Sequence, residues 1–378
     1  MADVLLYGDT LRSPELRHEV PIGIGDPFLY AERNGRRIVL VNVLERSRVD
    51  ALGTLESHGL GEFGQDDLIE QGLSRPQIEE ELTSRAVRSF GVERAIVPRT
   101  FPVWLADRLR ADGVELTVDQ DAFDDRRRVK NGAELAGIRR AQRAAEAGME
   151  AARELLRRAV ADGDGLRVDG LPLTSELVKV AIARAFVEHD AAADELIVAH
   201  GGQAALGHHM GQGRILAGEP IVIDIWPRDN ESACFADMTR TFVVGDVPPE
   251  LAEWHALVKE SLDRSLAEIR EGVDCAGVYA TSCDVFEAAG QVTARTKEPG
   301  ETLDHGFFHG LGHGVGLEVH EEPGFGRVAQ GTLRAGDVVT VEPGLYRPGF
   351  GGVRLEDLVL VTADGAENLT RFPYGLTP

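Results

Sequence analysis

The chain has 378 residues, room for two domains of ordinary size, and 63 acidic against 40 basic side chains give a formal net charge of −23. That charge opposes the phosphate neutralisation on which nucleic-acid binding depends, and the basic run Arg126-Arg127-Arg128 is flanked by Asp124, Asp125 and Glu134. No apolar run approaches a membrane span, the start MADVLLYGDT lacks the basic-then-apolar order of a secretory leader, and Cys234, Cys275 and Cys283 have neither disulfide nor metal spacing. A cytoplasmic protein with no nucleic-acid or membrane partner is therefore expected.

Up to about residue 125 short strand-like and helix-like pieces alternate. Asn34-Gly35 between FLYAER and RRIVLVNV predicts a hairpin, ERAIV (93–97) a strand, and Pro102 the start of a helix that Gly113 ends before the strand VELTV. From Asn131 to Ala161 Leu135, Ile138, Ala141, Ala145 and Met149 recur at helical spacing, and Asp162-Gly163 is the expected stop. Charges around that helix suggest a connector on the surface. Beyond it come a helix (175–188), a strand pair (220–225 and 237–244), helices at 250–271 and 276–296, and strands near 338–342 and 353–362. The fold class is α/β: a small N-terminal α/β domain (1–125), a connector helix (126–162), and a larger α+β domain (163–378) against which the connector packs.

The chemistry gathers late in the chain. Eight of the eleven histidines lie between 200 and 320, and Gly306, Gly310, Gly312, Gly314 and Gly316 crowd one segment, as where backbone surrounds something. Four carboxylates sit in apolar strands: Asp224 in IVIDI, Asp237 opening DMTRTFVV, Glu342 in VVTVEPG and Glu356 in GGVRLEDLVLV. An ionised carboxylate there costs several kcal/mol unless it is paired or binds a metal. Any one of them can be a hydrogen-bonded structural acid. The set of four, with only Arg240 and Arg354 as nearby buried-looking cations, points instead to metal. Four negative charges offset two divalent ions, and an oxygen-rich donor set favours Mn, Co or Fe(II) over a closed tetrahedral zinc site.

These stretches resemble a known superfamily. Ile223-Asp224-Ile225, the run from Ala236 to Phe242, the run from His309 to Glu321, Val341-Glu342-Pro343-Gly344-Leu345-Tyr346 and Gly352-Val353-Arg354-Leu355-Glu356-Asp357 stand in the order found in the pita-bread metallopeptidases, which include methionine aminopeptidases, Xaa-Pro aminopeptidases and prolidases. Arg128-Val129-Lys130 with Glu134 and Ile138-Arg139 resembles the connector of the proline-directed, prolidase-like branch, and the N-terminal unit resembles its creatinase-type extra domain.

The resemblance implies dinuclear metal-dependent hydrolysis of Xaa-Pro bonds in a small peptide, as dipeptidase or aminopeptidase, through a hydroxide bridging two divalent ions. Manganese comes first, with cobalt, iron or zinc as alternatives. It implies that Asp224 binds one ion, that His313 and Glu342 bind the other, and that Asp237 and Glu356 bridge the pair, with Glu342 also the general acid/base. His320 and His208 would flank the substrate, His309 would line the proline pocket, and a homodimer would form through the N-terminal unit. Arg354, two residues from Glu356 and so on the same strand face, would pin a ligand carboxylate or orient Glu356. Because His208 and His209 are adjacent, the choice between them stays open, while His200, His255 and His305 read as surface or core residues, Cys234 as a small buried hydrophobe, and Trp104 and Trp254 as core.

The chain departs from the family pattern between Asp224 and Asp237, where IWPRDNESACFA is two residues longer than usual and Trp226-Pro227 stands where a small glycine is common. Gly207 also replaces a common proline before His208. These changes bear on the pocket rim, and so on substrate. The competing functions are a hydrolase or lyase of the same fold acting on a non-peptide small molecule, a metal-free creatinase-like amidinohydrolase, and a non-enzymatic binding protein. The last two are disfavoured because all five ligands are present.

Overall fold

Asn34 and Gly35 form the predicted turn, with φ of 51° and 78°, the positive pair that lets a two-residue connection follow the strand twist. They join β2 (Phe28–Arg33) to β3 (Arg36–Val41) in a computed structural model that describes residues 2–163 and 165–378. With β1 (Asp3–Gly8), β4 (Glu56–Gly59), β5 (Arg94–Val97) and β6 (Glu115–Val118) they make a mixed sheet ordered β4-β3-β2-β1-β5-β6. Alternation along the strands supplies two cores. Leu5, Leu29, Ile38 and Leu40 pack on Ala86, Val87, Leu105 and Leu109 of two helices, while Val4, Leu6, Tyr30 and Val39 pack on Leu16 and Phe123 of the other face. Trp104 is not a core residue: it is 42% exposed at the first turn of the helix Val103–Ala111, its ring edge-on to Tyr7. The chain divides into two compact units after Arg127.

The second unit opens with α1 (Gly132–Arg157). Asn131 caps it by accepting from Ala133 and Glu134, and Glu134 returns a bond to the Asn131 N–H. The expected surface connector is instead a core helix. Ile138, Ala141, Ala145, Met149, Ala152 and Leu156 are all fully buried, and small residues bring it against α2 (Ser175–Glu188). At Gly148 a Cβ would stand 2.5 Å from the Phe186 ring, so glycine sets how closely the helices approach. The helix stops at Arg157, and Val160–Asp162 is a short strand.

Beyond α2, β7 (Ile197–His200), β8 (Pro220–Ile225) and β9 (Met238–Val243) form an antiparallel sheet in which Asp224 faces Ile197 on one side and Thr239 on the other. Helices α3 (Pro249–Glu268) and α4 (Cys275–Ala288) come next, the second ending eight residues earlier than expected because Gly290, at φ 76°, turns the chain out. A second antiparallel sheet is ordered β11-β10-β12-β15-β16, from β10 (Gly312–Gly314), β11 (Glu321–Phe325), β12 (Val338–Val341), β15 (Asp357–Val361) and β16 (Ala366–Asn368). The hairpin of β13 (Gly344–Arg347) and β14 (Gly351–Arg354) stands beside it. The single strand expected over 353–362 is broken at Leu355-Glu356, where the Glu356 N–H turns to bond the Thr239 carbonyl and ties the two sheets together.

Three buried ion pairs lock this unit: Arg128 on Asp337, Lys130 on Glu321 and Arg240 on Asp357. The run Arg128-Val129-Lys130 therefore anchors the chain to the second sheet. No described helix is long and apolar enough to cross a membrane.

Candidate metal centre

Strand alternation brings the acids together. On β8 the residues at 222, 224 and 226 share a face, and so do those at 237, 239 and 241 along β9, because the side-chain period is two. All nine residues named from the sequence line one cavity of about 800 Å³: Asp224, Asp237, His313, Glu342 and Glu356, with His208, His309, His320 and Arg354.

Asp237, His313 and Glu356 each offer a donor atom, all within 4.8 Å of one another. His313 Nε2 lies 3.6 Å from Glu342 Oε1 and 3.8 Å from Asp237 Oδ2, beyond hydrogen-bond range but suited to atoms sharing an ion. Its Nδ1 faces the Gly314 carbonyl at 3.1 Å, which assigns the proton there and leaves Nε2 as the lone pair. Asp237 Oδ1 is buried with no hydrogen-bond partner, a costly arrangement for a carboxylate that a cation would relieve. Arg240 does not supply that charge, since it is spent on Asp357 and on the carbonyls of Glu356 and Phe372.

The electrostatics agree. Burial, reinforced by Glu356, Asp224 and Glu342, raises the Asp237 pKa well above the carboxylate range. Glu356 is raised likewise by burial and then by Glu342 and Asp224, and Glu342 is pushed up to about 8 by burial, with Arg354 pulling the other way. Burial holds His313 down to about 4, neutral as a ligand must be. The donor set therefore fits divalent metal, with carboxylate oxygens and one imidazole suited to Mn, Co or Fe(II).

Arg354 corrects the reading from spacing. β14 ends at Arg354, so the guanidinium does not lie along a common strand face with Glu356. It hydrogen-bonds the Asp224 carboxylate, donates to the Tyr346 hydroxyl at 2.9 Å and reaches Thr239 Oγ1 at 3.3 Å. Thr239 in turn donates to Glu356 Oε2 at 2.7 Å, so Arg354 touches Glu356 only through that hydroxyl. The Tyr346 hydroxyl also meets His309 Nε2 at 3.0 Å, completing a chain from Asp224 to the pocket wall. Tyr346 and Thr239 are the residues that sequence reasoning left without a role. For Thr239 the signal was its position two residues past Asp237.

Between the adjacent histidines the structure chooses. His208 lines the cavity, whereas His209 Nδ1 accepts the Gly211 N–H at 3.0 Å. His320 stacks edge-on to His313 with centroids 4.3 Å apart. His200 is tied to Glu219, away from the cavity lining.

The glycine-rich segment surrounds the protein's own backbone. A Cβ at Gly312 would lie 2.2 Å from the Thr340 carbonyl, and one at Gly314 would lie 2.4 Å from that of Glu322. Glycine lets β10 squeeze between β11 and β12 with His313 turned to the cavity. The long hairpin is likewise accounted for. Asp229 takes Arg140 of α1 bidentately, both bonds 2.8 Å, and Ser232 packs where Gly137 has no side chain. The extra residues are thus pinned to α1, and Trp226 at the hairpin's base is left in the cavity wall with Met210, Ile197 and Phe308.

Two antiparallel sheets with inward-facing carboxylates, backed by helices and preceded by a separate α/β unit, define the pita-bread class of fold. The profile of Metallopeptidase family M24 matches residues 136–363, and the chain belongs to that family. The Xaa-Pro dipeptidase of Pyrococcus furiosus is 34% identical over 178 residues, 47% of each chain, and the probable dipeptidase PepE of Mycobacterium tuberculosis is 34% identical over 182, 48% of this chain and 45% of the other. The chain thus spans about half the length of the curated relatives it matches. Among solved structures, the Xaa-Pro dipeptidase from Bacillus anthracis superposes with a TM-score of 0.78 at 22% identity, covering 100% of this chain and 94% of that one. The prolidase from Pyrococcus furiosus gives 0.74 at 23%, covering 99% and 97%. At those identities the likeness is one of fold.

Proposed function

We propose that the protein hydrolyses Xaa-Pro peptide bonds using two divalent cations held by Asp224, Asp237, His313, Glu342 and Glu356. The observation that carries this reading is the convergence of these groups on one cavity, with Asp237 Oδ1 buried and unpartnered. The names of the dipeptidase relatives support the choice of substrate. Bound there, the cation pair would polarise the scissile carbonyl and acidify a coordinated water.

The chain's own residues do the rest. A prolyl amide has no N–H, so its nitrogen leaves as a secondary amine that must gain a proton. Glu342 faces the cavity and carries that proton from water to nitrogen. His320, against His313, steadies the carbonyl, and His208 stands on the leaving-group side. His309, fixed by Tyr346, supports the proline ring together with Phe308. Arg354 serves Asp224 and is not a substrate contact.

Manganese is the proposed metal, in keeping with the oxygen-rich donor set, and the cytoplasm is the proposed compartment, a reading that the three buried, unpaired cysteines support. A homodimer through the first unit is supported by its exposed apolar residues Val43, Leu44, Val103 and Trp104.

The test is metal stoichiometry with hydrolysis. Wild-type protein should bind two Mn ions per chain and cleave proline-containing peptides. Glu356→Gln should lose at least one ion and cut kcat by about 100-fold or more. Two ions bound with no cleavage of any such peptide would overturn the reading.

A further inference from the structure

His208 and Met210 line the cavity from the irregular segment 206–213, and His208 is exposed, so its place depends on how the backbone around it is held. The segment lies so close to β7 that a Cβ at Gly211 would stand 1.7 Å from the Val198 carbonyl, and the Val198 N–H donates to the Met210 carbonyl at 3.0 Å. Polar side chains strap its far end. Lys179 donates to the Gly211 carbonyl at 3.0 Å, Glu176 accepts the Gly213 N–H at 3.0 Å, and Gln203 exchanges two bonds with the Gln212 backbone, both 3.0 Å. The fourth strap is His200, at the end of β7, whose Nε2 faces the Gln212 carbonyl at 3.1 Å.

This fourth bond needs a proton that a neutral ring cannot spare. His200 Nδ1 meets Glu219 Oε2 at 2.8 Å, and that oxygen also accepts the Leu216 N–H at 3.1 Å, so acceptors stand on both sides of the imidazole. Only an imidazolium satisfies both. A neutral ring keeps its one N–H on the charged carboxylate, the stronger partner, and turns a lone pair toward the Gln212 carbonyl. Two lone pairs at that distance repel, and the carbonyl must move. Burial opposes the charge on His200, but the bonds to Glu219 and Gln212, with the Glu176 carboxylate of α2 behind them, raise its pKa above the ordinary 6.5.

Resting on the Xaa-Pro reading for what His208 does, we propose that His200 is a positioning residue: its proton holds the Gln212 carbonyl, and through it the segment that presents His208 and Met210 to the cavity. Loss of that proton as pH rises loosens the segment and weakens catalysis.

The experiment follows hydrogen exchange of residues 206–214 on Mn-loaded protein from about pH 6 to about pH 8.5, in wild type and in His200→Gln, whose amide can donate to Gln212 but does not titrate. Lys179, Glu176, His208 and His209 are common to both proteins, so the ratio of wild-type to variant protection isolates His200. That ratio should fall about 5-fold across the range. The ratio of kcat/KM on Ala-Pro or Ala-Pro-Ala, whichever wild type cleaves, should fall about 3-fold with it. Glu219→Gln is the second probe: without the carboxylate the ring holds its proton less tightly, and loosening should begin at lower pH. An exchange ratio that does not change with pH, or Glu219→Gln loosening at the wild-type pH, would overturn the role of the proton. An exchange ratio that falls while that of kcat/KM stays level would overturn the link to His208. Cleavage of neither peptide with metal bound would instead strike the Xaa-Pro reading, and exchange would still judge His200.

Discussion

Single side chains decide how the centre is held. Arg354 acts at one remove from the chemistry: it fixes Asp224 and, through Thr239, Glu356. Its planar fork serves several acceptors at once, which a lysine cannot do. Arg354→Lys should therefore weaken metal binding about 10- to 100-fold, read by competition with a chelator, while the unliganded protein stays folded. Unchanged metal affinity would remove its positioning role. A second pair, away from the cavity lining, governs pH dependence. His200 Nδ1 meets Glu219 Oε2 at 2.8 Å and Nε2 meets the Gln212 carbonyl at 3.1 Å. Burial opposes the charge on His200, but these bonds outweigh it and raise its pKa above 6.5; burial likewise opposes ionised Glu219, yet His200 and the Leu216 N–H lower its pKa below 4.5. The histidine's contribution is complete below its ordinary 6.5 and lost as pH rises through the raised value. That of Glu219 is complete above its ordinary 4.5 and lost as pH falls through the lowered one. Wild type should therefore exceed Glu219→Gln in stability by about 1–2 kcal/mol between those two ordinary values, the gap closing on both sides, as urea titrations across pH would report.

At the scale of elements, spacing was a sound guide to helices and strands and a poor one to where they stop. The hairpin at Asn34-Gly35, the strand pair carrying Asp224 and Asp237, and the long helix after Asn131 were legible because local pattern fixes them: a turn-forming pair, apolar strand runs, helical spacing. The break at Leu355-Glu356 was not, because it is made by a hydrogen bond to Thr239, 117 residues away, whose hydroxyl also binds Glu356. Nor was the true reason for the glycines, which is the passage of β10 between two strands. Gly312→Ala puts a Cβ against the Thr340 carbonyl and must displace β10 and with it His313. Denaturant unfolding should show a loss of about 2–4 kcal/mol, accompanied by loss of bound metal. Near-wild-type values for both would mean the strand has room to move.

For the whole molecule the open matter is assembly. Among its described residues the first unit holds no cluster of metal-ligating side chains, and its exposed Val43, Leu44, Val103 and Trp104 give it apolar surface to cover. Light scattering at micromolar concentration should return twice the 40.9 kDa chain mass, and charged substitutions at Val103 and Trp104 should shift it toward the monomer. A monomeric wild type would remove the dimer. The second unit needs no partner to bring its donors together, since its sheets, α1 and three buried ion pairs already do so.

By itself the sequence singled out the groups that line the cavity, because four carboxylates embedded in apolar strands, with a histidine in a glycine-rich segment, have few other uses. It also determined the turn at Asn34-Gly35 and the helical spacing after Asn131, which depend on neighbours a few positions away. Only the tertiary structure decided that α1 is core, that His208 rather than His209 faces the cavity, and that Arg354 holds Asp224 across 130 positions of chain. Those outcomes depend on which sheet faces which and in what register, and sequence distance carries no information about that.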